Sequence, residues 1–145
     1  MNVQDILDRK GSTAVRTIAP DRTIAEAVAQ LVEHNIGSLV VIEGERPVGI
    51  VTERDILRCC ADDMGKAAST QVADVMTRDL IIGEAEDTVD YVMGIMTRNR
   101  IRHLPIMGPG KGMLGMVSIG DVVQSQLRET RYENRHLKEY ISGSY

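Results

Sequence analysis

The stretch Gly49-Ile50-Val51-Thr52-Glu53-Arg54-Asp55 has a counterpart farther along the chain in Gly115-Met116-Val117-Ser118-Ile119-Gly120-Asp121. Each copy runs from a glycine through apolar residues to a hydroxyl residue, and an aspartate follows three positions on. The apolar run predicts a strand, and the hydroxyl-x-x-acid spacing predicts the start of a helix. The sequence therefore predicts the same strand-to-helix junction twice.

The two junctions belong to a longer internal repeat. At one constant offset along the chain, Thr23 matches Thr88, Ile36 matches Ile101, Leu39 matches Leu104, and Val41 matches Ile106. The leader at residues 3–7 (VQDIL) also resembles residues 72–76 (VADVM). Such a duplication indicates one supersecondary unit that occurs twice. We assign residues 1–60 to repeat 1, 61–71 to a linker, 72–127 to repeat 2, and 128–145 to a charged C-terminal helix or tail.

Each repeat is predicted to contain a strand, a helix, two further strands and a closing helix, which gives a mixed α/β (α+β) fold class. Thr23 and Thr88 are the expected N-caps of the first helices, and Glu26 completes a capping box with Thr23. Apolar residues at helical spacing predict one buried stripe on each of these helices. The stripes comprise Ile24, Ala27, Val28, Leu31 and Val32 in repeat 1, and Val89, Val92, Met93 and Met96 in repeat 2.

Composition and charge exclude several classes of partner. The 145 residues carry a net charge of -4, whereas broad nucleic-acid binding needs a basic surface, so we do not expect nucleic acid as a partner. No apolar stretch approaches the length of a membrane span, and no basic start precedes an apolar run. We therefore expect no membrane partner and a cytoplasmic location.

Catalytic and metal-binding motifs are not found in the sequence. It lacks the H-E-x-x-H spacing, the phosphate-binding P-loop pattern and a recognisable nucleophile motif. The adjacent Cys59 and Cys60 would point about 100° apart on a helix, which favours structural roles over a metal site, with a vicinal disulfide as the alternative. We expect neither an enzyme nor a metal centre.

The repeated junction has two interpretations. Thr52 with Asp55, and Ser118 with Asp121, fit helix capping alone, which is worth about 1 kcal/mol for each helix. A helix N-terminus with a hydroxyl and a preceding glycine, which lets a ligand approach, also fits an anion site. One such junction would leave the choice open. Two at equivalent places in a duplicated unit favour a ligand.

With these features, residues 3–127 resemble a tandem cystathionine β-synthase (CBS) domain pair, also called the Bateman module. The resemblance rests on the duplicated Gly-apolar-x-Thr/Ser-x-x-Asp pattern, the Leu104-Pro105-Ile106 strand and the Asp-x-Thr helix start. It implies two β-α-β-β-α units packed sheet to sheet about a pseudo-twofold axis. It also implies two clefts between the halves that bind AMP, ADP, ATP, NAD or S-adenosylmethionine.

The resemblance further implies roles for particular residues. Asp55 and Asp121 would accept hydrogen bonds from the ribose diol, and Thr52 and Ser118 would bind phosphate oxygens. The remaining implied contacts are apolar or lie on the strand that precedes each first helix. They are Val15 and Thr17 in one half and Leu80 and Ile82 in the other, which would flank the base, and Ile36 and Ile101, which would add apolar walls.

The two halves differ in charge beside these positions. Repeat 2 has Arg102 and His103 where repeat 1 has Gly37 and Ser38. The resemblance implies that Arg102 and His103 bind phosphate, with Arg54 a further candidate, while the alternative is a solvated basic turn. We therefore expect clefts of unequal affinity, with a phosphorylated ligand in the Ser118/Asp121 half.

The sequence as a whole favours a stand-alone regulatory protein that binds AMP first, or ATP, ADP or NAD, and signals by conformational change to an unknown protein partner. No obligatory cofactor is expected. We also expect a homodimer, the state in which modules of this type commonly occur. In the charged C-terminal segment, Leu127, Leu137, Tyr140 and Ile141 lie near one helical face, which offers a dimer or partner contact, while an exposed charged helix is the alternative. The alternative function is a constitutive dimeric interaction or scaffold protein whose clefts are vestigial.

Overall fold

The computed structural model describes residues 1–11, 15–110 and 112–141, with side chains as far as residue 138. Helices and short strands alternate along the chain. The elements are α1 (Val3–Lys10), β1 (Thr17–Ile18), α2 (Ile24–His34), β2 (Ser38–Glu43), β3 (Arg46–Thr52), α3 (Glu53–Asp62), α4 (Met64–Ala67), a 3₁₀ turn (Val72–Asp74), β4 (Gly83–Glu84), α5 (Val89–Asn99), β5 (His103–Met107), β6 (Met113–Ser118) and α6 (Ile119–Ile141).

The chain forms two compact units. One comprises Ala14–Ile81 and is called here the Thr52 unit, and the other comprises Met1–Thr13 with Ile82–Tyr145 and is called the Ser118 unit. The Thr52 unit contains a sheet of order β1-β2-β3, and the Ser118 unit contains a sheet of order β4-β5-β6. In both sheets the first pair of strands is parallel and the second is antiparallel. The mixed α/β class with duplicated units is therefore confirmed.

Each leader segment lies in the unit built by the other repeat. Helix α1 is the first element of repeat 1 but belongs to the Ser118 unit, where the Val3 amide donates to the Asp87 carbonyl at 2.9 Å. The 3₁₀ turn precedes β4 but belongs to the Thr52 unit, where the Val72 amide donates to the Arg22 carbonyl at 2.8 Å. The compact units thus group the segments differently from the repeats of the sequence.

Strand register repeats in the two units. Ile18 pairs with Val41, and Gly83 pairs with Ile106, at the offset of the sequence repeat. The antiparallel pairs β2–β3 and β5–β6 each show a register shift, between Val41 and Ile42 and between Ile106 and Met107. These shifts also fall at equivalent positions of the repeat, so the two sheets share their strand register, including its irregularity.

Residues 61–71 are partly helical. Helix α3 continues to Asp62, and α4 follows at Met64–Ala67. The Ile24 amide donates to the Thr70 carbonyl at 2.8 Å, so this segment also hydrogen-bonds to the first residue of α2.

The buried stripe of α2 is narrower than predicted. Ile24, Ala27 and Leu31 are buried, but the side chains of Val28 and Val32 are 39% and 76% exposed, so the prediction was wrong for these two valines. Successive helical residues turn by about 100°, which places both valines on the flank of the stripe rather than at its centre. On α5, Val89, Val92 and Met96 are buried and Met93 is half-buried.

Helix α6 is one continuous element of 23 residues, so the closing helix of repeat 2 and the charged C-terminal segment are the same helix. Leu127 and Leu137 are exposed. The side chains of Tyr140 and Ile141, predicted near the same face, lie outside the described residues, as does the backbone of residues 142–145. In the part of the chain that the structure describes, no helix has the length and apolar character that crossing a membrane requires.

Candidate functional site

The Thr52 junction joins β3 to α3 through a reciprocal capping box. Thr52 ends the apolar strand β3 and is the N-cap of α3. The Asp55 amide donates to Thr52 Oγ1 at 3.2 Å, and the Thr52 amide donates to Asp55 Oδ2 at 3.0 Å. Asp55 is buried, with 9% of its surface exposed. The helix start predicted from the sequence is confirmed, and the cap fixes the position of the carboxylate.

The Ser118 junction has the same geometry. The Asp121 amide donates to Ser118 Oγ at 3.1 Å, and the Ser118 amide donates to Asp121 Oδ2 at 2.9 Å. The Asp121 side chain is 20% exposed. Both units therefore hold an aspartate at the N-terminus of a helix in an equivalent, pre-arranged position.

Each aspartate is contacted by a residue that follows a leader segment in the sequence, and sequence analysis missed both contacts. Thr77 Oγ1 donates to Asp55 Oδ1 at 3.4 Å within the Thr52 unit. Lys10 Nζ donates to Asp121 Oδ2 at 2.9 Å within the Ser118 unit. The repeated leader was the available signal, but its sequence does not show which unit it packs against.

The pKa of Asp121 is lowered. Burial acts against ionisation and would raise the pKa, but several groups outweigh it. They are the hydrogen bond from the Ser118 amide, the hydrogen bond and positive charge of Lys10, and the bond to the Ser118 side chain. Asp121 is thus a carboxylate at neutral pH and can act only as a hydrogen-bond acceptor.

The segment before each central strand lies beside the cap. The Arg102 carbonyl accepts from the Ile119 amide at 2.8 Å, and His103 is the register partner of Ser118. Arg102 is exposed and His103 half-buried. The structure thus brings this basic pair of residues next to the Ser118 cap.

The equivalent place in the Thr52 unit is uncharged. Here the Gly37 carbonyl accepts from the Glu53 amide at 3.1 Å, and Ser38 pairs with Thr52. The nearby cation is Arg54, which is exposed in the first turn of α3. The charge difference expected from the sequence therefore falls directly at the two junctions.

The predicted apolar walls flank the same segments. Ile36 and Ile101 are half-buried, and their amides donate to the carbonyls of Leu31 and Met96, both at 3.0 Å. Each isoleucine thus hydrogen-bonds to a carbonyl in the last turns of the preceding helix, α2 or α5. Ile36 also packs against the hydrophobic core of the Thr52 unit.

The predicted base-flanking residues lie farther from the caps. Thr17 pairs with Val40 on one side of β2, whereas Thr52 pairs with Ser38 on the other. Two strand spacings, about 10 Å across the sheet, and two residues along it therefore separate them. Val15 is half-buried and lies two residues before β1. Leu80 belongs to the Thr52 unit, while Ile82, 46% exposed, belongs to the Ser118 unit.

Two cavities lie near these residues. One of about 580 Å³ includes Thr17 and Arg22 but none of the cap residues. The other, of about 280 Å³, is lined by Asp121 and by residues of α1 and α6. Of the two, the smaller cavity is the one with a cap aspartate in its wall. Among the described residues, no group of three or more His, Cys, Asp or Glu side chains is arranged to hold a metal ion.

Two copies of one β-α-β-β-α unit, each with a hydroxyl-x-x-aspartate cap, define a tandem-repeat module. The CBS domain matches residues 3–62 and 72–128, and the chain belongs to this family. The resemblance stated from the sequence is therefore confirmed.

Similar proteins span nearly the whole chain. The mitochondrial CBS domain-containing protein CBSX3 of Arabidopsis thaliana is 42% identical over 151 residues, which cover 99% of this chain and 73% of that protein. The crystal structure of the CBS-domain containing protein ATU1752 from Agrobacterium tumefaciens is 37% identical, with a TM-score of 0.83 over 87% of this chain and 99% of that one. The CBS domain pair of protein MJ0100, in complex with 5′-methylthioadenosine and S-adenosyl-L-methionine, is 27% identical. Its TM-score is 0.76 over 90% of this chain and 98% of that one.

Proposed function

We propose that this protein is a stand-alone regulatory module that binds adenosine-containing ligands, AMP first and ATP, ADP or NAD next, and passes the binding signal to a protein partner. It acts through a change of conformation and not by catalysis, and it needs no obligatory cofactor. We keep the cytoplasm as its expected location, although the Arabidopsis relative is named as mitochondrial.

The pair of equivalent caps carries this proposal. Each cap fixes an aspartate beside the amide groups of a helix N-terminus, which is a suitable place for a ribose diol and a phosphate. The complex of MJ0100 with two adenosine compounds supports the class of ligand. Those compounds lack a phosphate, so the preference for AMP rests on this chain's own charges.

The Ser118 unit is the proposed site for a phosphorylated ligand. Arg102 and His103 flank the Ser118 cap, whereas Gly37 and Ser38 flank the Thr52 cap. Because a cation near a phosphate strengthens its hydrogen bonds, we expect AMP to bind more tightly in the Ser118 unit.

A scaffold function is the competing proposal. It has one observation in its favour: the capping bonds already give both Thr52–Asp55 and Ser118–Asp121 a structural role. In that case both junctions would serve only to start helices, and the protein would act as a constitutive dimeric interaction module.

Calorimetry with AMP, ATP, NAD and S-adenosylmethionine separates the two proposals. We expect AMP to bind, and we expect Asp121→Asn to weaken the tighter binding event about tenfold or more, because an amide lacks the charge and one acceptor oxygen of the carboxylate. Asp55→Asn should weaken the second event. Asparagine can still accept a hydrogen bond from the cap amide, so stability should change little.

Asp5→Asn is the matched control. Asp5 occupies the same position in the capping box of α1, where its Oδ2 accepts from the Asn2 amide at 2.9 Å. This variant should bind AMP like the unchanged protein. The absence of heat with all four ligands on folded protein would reject the ligand-binding proposal and leave the scaffold.

A further inference from the structure

Lys10 forms an ion pair with the Asp121 carboxylate in the Ser118 unit. Its Nζ donates to Asp121 Oδ2 at 2.9 Å and to the Met116 carbonyl at 2.7 Å. The Lys10 side chain is 35% exposed. The ammonium thus bridges strand β6 and the first turn of α6, at the carboxylate proposed to accept the ribose diol.

The Thr52 unit satisfies the equivalent groups without a charge. Ile50 is the counterpart of Met116 in the sequence repeat, and its carbonyl accepts from the Thr77 amide at 2.8 Å. The Thr77 hydroxyl, at 3.4 Å, takes the place of the ammonium at the aspartate. Each aspartate therefore accepts a hydrogen bond from a residue that follows a leader segment. Of these two contacts, the one in the Ser118 unit is an ion pair.

This contact limits how Asp121 can bind a diol. A carboxylate oxygen has about two acceptor positions, and Asp121 Oδ2 already accepts from the Ser118 amide and from Lys10. A diol that uses both carboxylate oxygens must therefore displace the ammonium. Lysine is a compact charge on a flexible stem, so the ammonium can move without unfolding α1.

The surroundings favour an anion as the new partner of the displaced ammonium. The cavity of about 280 Å³ beside Asp121 is also lined by Arg9, Lys10 and Arg128, so it holds three cations against one carboxylate. When a phosphorylated ligand binds Asp121, Lys10 loses its ion pair with the carboxylate but can form a new one with the phosphate. When a neutral nucleoside binds, Lys10 loses the same ion pair and gains no negatively charged partner.

We propose that Lys10 is a selectivity residue of the Ser118 unit, which disfavours unphosphorylated adenosine compounds and favours phosphorylated ones. This inference rests on the proposed function of the Asp121 site. This role differs from those proposed for Arg102 and His103. Lys10 pairs with the Asp121 carboxylate before the ligand binds and with the ligand's phosphate afterwards.

Calorimetry with adenosine and AMP tests the inference in an Asp55→Asn background, which confines the signal to the Asp121 site. We expect Lys10→Met to bind adenosine about threefold more tightly and AMP about threefold more weakly, so that the preference for AMP falls about tenfold. Lys10→Arg keeps the positive charge and should keep most of the preference. Lys66→Met, on α4 of the Thr52 unit, changes the net charge equally and should leave both affinities unchanged.

An unchanged ratio of the two affinities in Lys10→Met would overturn the role of Lys10 while leaving the proposed function intact. The same change of ratio in Lys66→Met would also overturn it, because it would reflect net charge alone. No heat with either ligand in any folded variant would reject the proposed function, and this inference with it.

Discussion

At the scale of single residues, the Lys10–Asp121 ion pair makes stability depend on pH. The pKa of Asp121 lies below its ordinary value of 3.8 in the folded protein. A carboxyl group whose pKa is lowered in the folded state stabilises the protein at pH values above its ordinary pKa. This contribution is lost as the pH falls through the folded-state pKa. The contribution is therefore present at pH 7, begins to fall near the ordinary pKa of 3.8 and is lost as the pH falls through the lowered folded-state pKa.

A double-mutant cycle with Lys10→Met and Asp121→Asn measures this pair. We expect a coupling free energy of about 0.5 kcal/mol at pH 7, because the pair is partly exposed, and a smaller coupling as acid protonates Asp121. Urea unfolding at pH 7 and over a series of pH values below the ordinary pKa of Asp121 gives the numbers. Since Lys10 also donates to the Met116 carbonyl, Lys10→Met alone should retain part of its cost in acid.

The Arg22–Glu26 pair provides the control for this cycle. Its atoms lie 3.8 Å apart, and its side chains are 63% and 49% exposed, so its coupling should be about 0.3 kcal/mol or less. Equal coupling in the two cycles, or a Lys10–Asp121 coupling that does not decrease anywhere in the acid series, would contradict the assigned ion pair.

At the scale of elements, Gly49 allows the second leader to reach β3. A Cβ at this position would lie 2.7 Å from the Thr77 carbonyl and 2.9 Å from Met76 Sδ. The close approach permits both backbone hydrogen bonds between Ile50 and Thr77, at 2.8 and 3.0 Å. The glycine of the repeated motif is therefore needed for packing, in addition to any ligand that it admits.

Gly49→Ala should lower the free energy of unfolding by about 1–3 kcal/mol, because the new methyl group must push the Thr77 backbone away. Chemical denaturation measures the change. Gly94→Ala is the matched substitution inside α5, where the nearest atom to a new Cβ is Arg98 Nη2 at 3.8 Å. It should raise stability by about 0.5–1 kcal/mol. Similar effects of both substitutions would exclude the close contact as the reason for Gly49.

The elements that follow local rules were the ones that sequence could predict. The caps at Thr52 and Ser118 depend on residues three apart, and the repeat offset fixed which strands correspond. Helical spacing places Val28 and Val32 on the flank of the α2 stripe, but whether a flank is covered depends on tertiary packing, which the spacing does not specify. The contacts of Lys10 and Thr77 join segments far apart in sequence, so no local pattern reports them.

At the scale of the whole molecule, exposed apolar side chains favour self-association. In the Thr52 unit, Val32 on α2 is 76% exposed and Leu57 on α3 is 69% exposed. In the Ser118 unit, Val123 and Leu127 on α6 are also exposed. Burying one such side chain is worth about 1.5–3 kcal/mol, so a dimer interface that covers several of them would be stabilised by their burial.

We expect light scattering to return twice the chain mass of 16.0 kDa for the unchanged protein. Combining Val32→Glu with Leu57→Glu should weaken the dimer at least a hundredfold, because in a twofold-symmetric dimer each charge enters the interface twice. Met64→Glu is the control, since Met64 is 74% exposed but lies on α4. A monomer mass for the unchanged protein would refute the homodimer. A dimer that withstands the paired glutamates would instead place the interface away from Val32 and Leu57.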